Sequence, residues 1–263
     1  MAEAKKKYFH INSLEKGIRV LELLAEKQEL TVTKVGEALG INRAGSHRFL
    51  ATLRELGYVR KNEDSRYQLT FKILELGMKF ANRFEVRRVA CPFMQELSEM
   101  FNETVNLGFW DGEIVVHLDR VESREILRME LGIGTRAPAY CTGLGKAVLA
   151  HLPNEERERF LKRIKLVRYT PNTITKRGKL LEELKAVRER GYAIDNEELA
   201  VGLRCIAAPV FDYTRLPRYA ISIAGPASRM TDGIVSEMEK EVRRVCTGLS
   251  KSLGASSDEV KKG

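Results

Sequence analysis

Residues 33–53, TKVGEALGINRAGSHRFLATL, space their apolar positions for two short helices joined by a tight turn, not for one long helix. Val35, Leu39, Ile41, Phe49, Leu50 and Leu53 can then share one small core. Gly36 permits close approach of the two helices, and Gly40 reaches the positive φ of a corner without a Cβ clash. Asn42 is placed to cap the second helix, which turns Arg43, Ser46, His47, Arg48 and Thr52 outward. The pattern predicts a helix-turn-helix whose outer face suits DNA phosphates and base edges.

The residues that follow narrow this reading. Residues 57–60 leave the helix and enter a strand, residues 62–65 form a polar turn, and residues 66–69 alternate back as a second strand. A hairpin directly after such a helix is a wing, with Lys61 and Arg66 flanking its tip. Ser13 is the expected cap of a first helix in which Leu14, Ile18, Leu21 and Leu24 would cover the same core. This predicts a winged DNA-binding domain over residues 1–70. A linker helix over 71–89 follows from the period of Phe71, Leu74, Met78 and Phe80, and its surplus apolar residues would serve to pair two chains. A formal net charge of +9, with Lys5, Lys6 and Lys7 as a cationic arm, favours a polyanionic partner.

With 263 residues the chain has room for a second, larger domain, expected over 90–253 ahead of a disordered tail at 254–263. Helical spacing marks 92–101, 142–152, 154–165, 179–190 and 231–252. Alternation predicts strands at 105–110, 113–121, 126–131, 206–211 and 219–224. The fold class is therefore α+β, with helices packed on an antiparallel sheet. Cys91, Cys141, Cys205 and Cys246 are far apart and form no CxxC pair, which argues against a disulfide framework or a zinc site. No run approaches the roughly 18–20 apolar residues of a membrane span. A cytoplasmic protein without metal or cofactor is expected.

Two segments of the second domain invite a ligand. Residues 137–150, APAYCTGLGKAVLA, place Gly-Lys before a helix, but a phosphate loop would need Gly where Tyr140 stands and Ser or Thr where Ala147 stands. What remains is a helix start at Thr142, Gly143 and Leu144 whose free N–H groups attract a carboxylate or other small anion. Residues 191–210, GYAIDNEELAVGLRCIAAPV, carry Asp195 in an acidic cluster with Glu197 and Glu198, then Gly202 for a close backbone approach before Cys205. The plain alternative is a solvated acidic turn. In the strand 219–224 a period of two separates Ile221 and Ile223 from Ala220, Ser222 and Ala224. A floor of Ser222 and Ala224 beside Gly143 would hold a small organic acid. Cys141 or Cys205 with His117 and Asp195 also supplies the ingredients of a thiol hydrolase, the rival reading of an enzyme carrying a regulatory helix-turn-helix.

These motifs, in this order, resemble the IclR-type transcriptional regulators. The resemblance runs from about Ser13 to Arg229, through residues 47–61 (HRFLATLRELGYVRK), 103–112 (ETVNLGFWDG), 142–150, 191–210 and 220–229 (AISIAGPASR). It implies an N-terminal winged domain, a linker helix and a C-terminal GAF-like effector domain, in a homodimer or a tetramer. It implies backbone contacts to the effector at Gly143 and Leu144, side-chain contacts at Asp195, Cys205 and Ser222, and apolar walls near Ile126 and Met129. Members that bind two- or three-carbon acids carry a second serine where this chain has Ala224, so the resemblance leaves room for a longer or aromatic acid. The partners so implied are double-stranded operator DNA and a small organic acid.

Overall fold

In a computed structural model, which describes residues 11–81, 85–129 and 132–255, the chain forms two units, Met1–Phe84 and Glu85–Gly263. The first is built on the helical corner. Helix α1 (Asn12–Lys27) and strand β1 (Glu29–Leu30) precede α2 (Val32–Leu39) and α3 (Arg43–Glu55). Thr31 caps α2 by accepting from Lys34 N–H, and Asn42 caps α3 by accepting from Gly45 N–H at 2.8 Å. Gly40 closes α2 at φ 62°. A Cβ on Gly36 would lie 2.6 Å from the Ile41 carbonyl oxygen, so the corner can close this tightly only around a glycine. Val20, Leu24, Val35, Leu50, Val59 and Tyr67 are buried beneath it, ringed by Leu21, Leu39, Phe49 and Leu53.

Helix α1 departs from expectation. It starts at Asn12 without a side-chain cap, so Ser13 lies inside its first turn. Leu14 and Ile18 remain exposed, as does Ile11, while Val20 and Leu24 fill the core. Sixteen residues make a rod of about 24 Å, longer than the two short helices beneath can cover. Strands β2 (Val59–Lys61) and β3 (Tyr67–Leu69) form the wing, and β1 adds to β3 in the order β1-β3-β2. Two residues are too few to show alternation, which is why β1 was not anticipated.

Of the helical stretch expected over 71–89, residues 82–84 lie outside the described residues; α4 covers Lys72–Ala81, and α5 spans Val86–Phe101. Helix α5 runs through Pro92, where a helix start was expected. Burial of Val86, Ala90, Met94 and Leu97 along one face offsets the backbone hydrogen bond that proline removes.

The second unit is organised on a six-stranded antiparallel sheet of order β6-β5-β4-β9-β8-β7. Its strands are β4 (Thr104–Trp110), β5 (Ile114–Val121), β6 (Arg136–Pro138), β7 (Ala193–Asn196), β8 (Leu203–Val210) and β9 (Tyr219–Pro226). Helices α6 (Gly143–His151), α7 (Asn154–Arg163) and α8 (Arg177–Arg190) share a core with Trp110, Val115, Ala207 and Ala220 on one face. Helix α5 packs with α9 (Asp232–Ser252) on the other.

The strand expected at 126–131 is absent over its described residues, and Ile126 is fully exposed. β6 already pairs with the outer edge of β5, while Asn102–Glu125 and Arg128–Glu122 contacts hold 122–129 as a loop. Leu131, the lysine arm and residues 256–263 of the expected tail lie outside the described residues; Ala255 is buried.

The corner gives a direct test. Gly36→Val should lower stability by about 2–3 kcal/mol in chemical denaturation, since the added carbon meets backbone that cannot turn aside. An unchanged midpoint would show that Gly36 is not the point of closest approach.

Candidate functional site

In the first unit, Arg43 and His47 lie on one side of α3 and, with Thr31, Thr33, Lys61 and Ser65, border a hollow of about 670 Å³. At roughly 100° per residue, Arg48 and Thr52 point about 140° and 180° away from Arg43, so they do not share this face. Both are exposed, and Thr52 Oγ1 donates to the Arg48 carbonyl at 2.9 Å. One expectation needs correction. Ser46, placed on the outer face by sequence, is fully buried where α2 meets α3, and its Oγ donates to the Asn42 carbonyl. Arg66 stays half-exposed at the wing tip, in a 2.9 Å surface ion pair with Glu29, which also accepts from Asn62 Nδ2. Lys61 shares the rim with Arg43 and His47. Thr31, Thr33 and Ser65 escaped notice because only the fold brings them to that rim.

In the second unit, strand register gathers most of the expected pocket residues. Asp195, Cys205, Ala224 and Thr104 form one row across β7, β8, β9 and β4, and Ala193, Ala207, Ser222 and Asn106 form the next on the same face. The start of α6 sits over these rows: a Cβ on Gly143 would lie 2.5 Å from Cys205 Sγ and 3.3 Å from the Ala207 Cβ. Thr142 caps α6, accepting from Gly145 N–H at 3.2 Å, while its carbonyl accepts from Lys146 N–H at 2.9 Å. The Gly143 N–H faces the Cys205 thiol. The Leu144 side chain covers Gly108 on β4. Met129 reaches this region through its carbonyl, which accepts from Thr104 Oγ1; Ile126 does not.

Asp195 is no solvated turn residue. It is 2 % exposed, and its Oδ1 accepts from Glu198 N–H at 2.7 Å. Burial, the largest influence, pushes its carboxyl up to about 7, with Lys146 and the Glu198 N–H opposing and the Glu198 charge reinforcing the rise. Lys146 is itself buried, paired with Glu198 and 3.6 Å from Glu183. Gly202 turns the chain between β7 and β8 at φ 80° with open space around it, so it serves positive φ and not the expected close approach.

The thiol-hydrolase set is not assembled. Burial and the nearby Asp195 push both Cys141 and Cys205 up to about 12, so neither is a thiolate near neutrality. His117 stands on β5, three strands from Cys205, or about 14 Å at ordinary strand spacing. Among the described residues, no group of three or more His, Cys, Asp or Glu side chains is arranged to hold a metal. No described helix is long and apolar enough to cross a membrane.

Comparison with known proteins agrees with this architecture. The model of the IclR helix-turn-helix domain matches residues 13–63, and that of the bacterial transcriptional regulator IclR C-terminal region matches residues 78–251. The chain belongs to the IclR family. Within this IclR family, the HTH-type transcriptional regulator KdgR of Escherichia coli (strain K12) is 34 % identical over 254 residues, 96 % of this chain and 97 % of KdgR. The transcriptional repressor IclR of the same strain is 34 % identical over 248 residues, 93 % of this chain and 90 % of the repressor. The crystal structure of Thermotoga maritima IclR superposes with a TM-score of 0.84 at 31 % identity, covering 94 % of this chain and all of that one (100 %). An IclR homologue from Microbacterium hydrocarbonoxydans, complexed with 4-hydroxybenzoate, shares the fold at a TM-score of 0.79 and 23 % identity, over 93 % of this chain and 100 % of its own. These relatives are transcriptional regulators, and this chain is a winged helix-turn-helix transcriptional regulator of the same family.

The elevated Asp195 sets a pH dependence. The unfolded carboxyl ionises near its ordinary 3.8, whereas the folded one keeps its proton to about 7, so its stabilising effect is full below pH 4 and lost as pH rises through 7. Asp195→Asn should therefore match the wild type in thermal unfolding at pH 4 and be more stable above pH 7, on the order of a few kcal/mol. A difference that stays flat between pH 4 and 8 would mean the native carboxyl is already ionised.

Proposed function

We propose that the chain is a ligand-responsive regulator in which residues 1–70 read operator DNA, residues 71–89 link, and residues 90–253 bind a small organic acid. The observation that carries the DNA half is the shared rim of Arg43, His47 and Lys61. Arg43 and His47, with Thr33 at the edge, are the base-facing candidates; Lys61 and Arg48 grip phosphate. The expected contact from Ser46 is withdrawn, because its side chain is buried, whereas the half-exposed Arg66 can exchange its surface pair with Glu29 for a phosphate. Ile11 just ahead of α1, Leu14 and Ile18 on it, and Phe71 and Leu74 at α4 are exposed apolar side chains that a second copy would cover, giving a dimer on a two-fold symmetric operator.

For the acid, the capped start of α6 supplies Leu144 N–H and a positive helix end, and Asp195 supplies a proton that an ionised neighbour would withhold. Ala224 replaces a hydroxyl, so the row beside Cys205 favours the apolar part of a ligand. The ligand regulates by distinguishing DNA-competent from DNA-incompetent arrangements of the chain.

Anisotropy titrations of the full chain on a duplex selected from a random pool, and on random duplex, separate the DNA roles. Arg43→Ala should cost about 1–3 kcal/mol on the selected duplex and relax preference at one base pair, whereas Lys61→Ala should weaken both duplexes alike and reduce the salt slope by about one. Equal and unchanged affinities in Arg43→Ala would remove α3 from the interface.

A further inference from the structure

Helix α3 is held by different means at its two ends. At its start, Asn42 caps it and Gly36 lets α2 close on Ser46. Beyond its far end, the carbonyls of Leu56, Gly57 and Tyr58 all accept from Thr70 and Lys72, where α4 begins. Lys72 Nζ donates to the Leu56 carbonyl at 2.6 Å, Thr70 Oγ1 to the Gly57 carbonyl at 2.6 Å, and Thr70 N–H to the Tyr58 carbonyl at 3.0 Å. The Thr70 hydroxyl accepts in turn from Lys72 N–H at 3.3 Å, and the Lys72 ammonium stands 5.0 Å from the centre of the Tyr58 ring.

The needs of α4 do not account for Lys72. It is the first residue of that helix, where a cation opposes the helix's own dipole. Glu75, the acid nearest along α4, is paired with Lys79 at 2.6 Å. The end of α3 does account for it. The last carbonyls of a helix have no donor within the helix and carry partial negative charge, which an ammonium neutralises.

We propose that Lys72 is a positioning residue for DNA reading: through Leu56 and Tyr58 it fastens α3 to α4, so that the base-facing end of α3 follows the helix that leads out of the first unit. This rests on the reading of Arg43 and His47 as base-facing. Lys72 is not itself at that rim, because the thirteen residues of α3 set Leu56 about 20 Å along the axis from Arg43. A planar guanidinium on a base edge tolerates little rotation, whereas a flexible lysine on a phosphate adapts. Loosening the fastening therefore costs sequence preference before it costs affinity for DNA in general.

The test is anisotropy titration of the full chain over a salt series, on a duplex selected from a random pool and on random duplex, with Arg43→Ala as reference. Lys72→Met keeps the stem over Tyr58 and removes the donor. It should lower the ratio of selected to random affinity about threefold or more, with the random-duplex affinity and the salt slope unchanged. Lys72→Arg should restore most of the ratio, since a guanidinium also donates to a carbonyl and stacks on a ring. Thr70→Val, which keeps the backbone donor, should show the same signature more weakly, and decides the matter if Lys72→Met fails to fold. An unchanged ratio, or equal weakening on both duplexes with the slope reduced by about one, overturns the proposal; the second result makes Lys72 a phosphate contact. A loss as large in Lys72→Arg as in Lys72→Met overturns it too. If the ratio falls in Arg43→Ala alone, the reading of α3 stands without the fastening; if Arg43→Ala also leaves it unchanged, both fail.

Discussion

Helix α6 can rest on the sheet only because side chains are missing at its points of contact. Gly143 meets Cys205, and Gly145 lies so near Ala139 that a Cβ would fall 2.2 Å from its carbonyl oxygen. Gly108 makes room from the sheet side for Leu144. Every residue of α6 from Gly143 to Ala150 is buried as a result. A helix enclosed to that degree cannot leave its first N–H groups to bulk water, and the Thr142 cap satisfies only part of them. The same packing that closes the core therefore creates a polar demand at one end of it.

Charge follows from that enclosure. Lys146 is carried inside with α6, and Glu198 is drawn in to neutralise it. The Glu198 backbone then holds Asp195 against β8. Asp195 sits beside a pair already near neutrality, which is why burial dominates its behaviour and keeps the proton to about 7. Small side chains at Ala207, Ser222 and Ala224 leave the sheet face low in front of it.

Much of this was legible in the chain. Gly40, Asn42 and the apolar spacing of 33–53 act over a few residues, and local signals of that kind survive folding unchanged. The small-residue face of β9 was legible for the same reason, since a strand's period needs no partner. What escaped depends on neighbours far apart in sequence. Ser46 is buried because Gly36 brings α2 onto it, Arg66 has a surface partner because β1 delivers Glu29, and Asp195 is buried because a short β7 pairs with β8.

We place the input of this DNA-binding regulator at the start of α6, and its output at the basic rim of α3 and the wing. Coupling between them requires that an acid bind at this place and no other. Amide hydrogen exchange of the full chain with and without 4-hydroxybenzoate or D-gluconate tests that most directly. Slowed exchange is expected for residues 142–146, 193–198 and 203–207 with at least one of these acids. Slowing confined to other segments, such as the crevice lined by Asp111, Arg163 and Arg218, would contradict it.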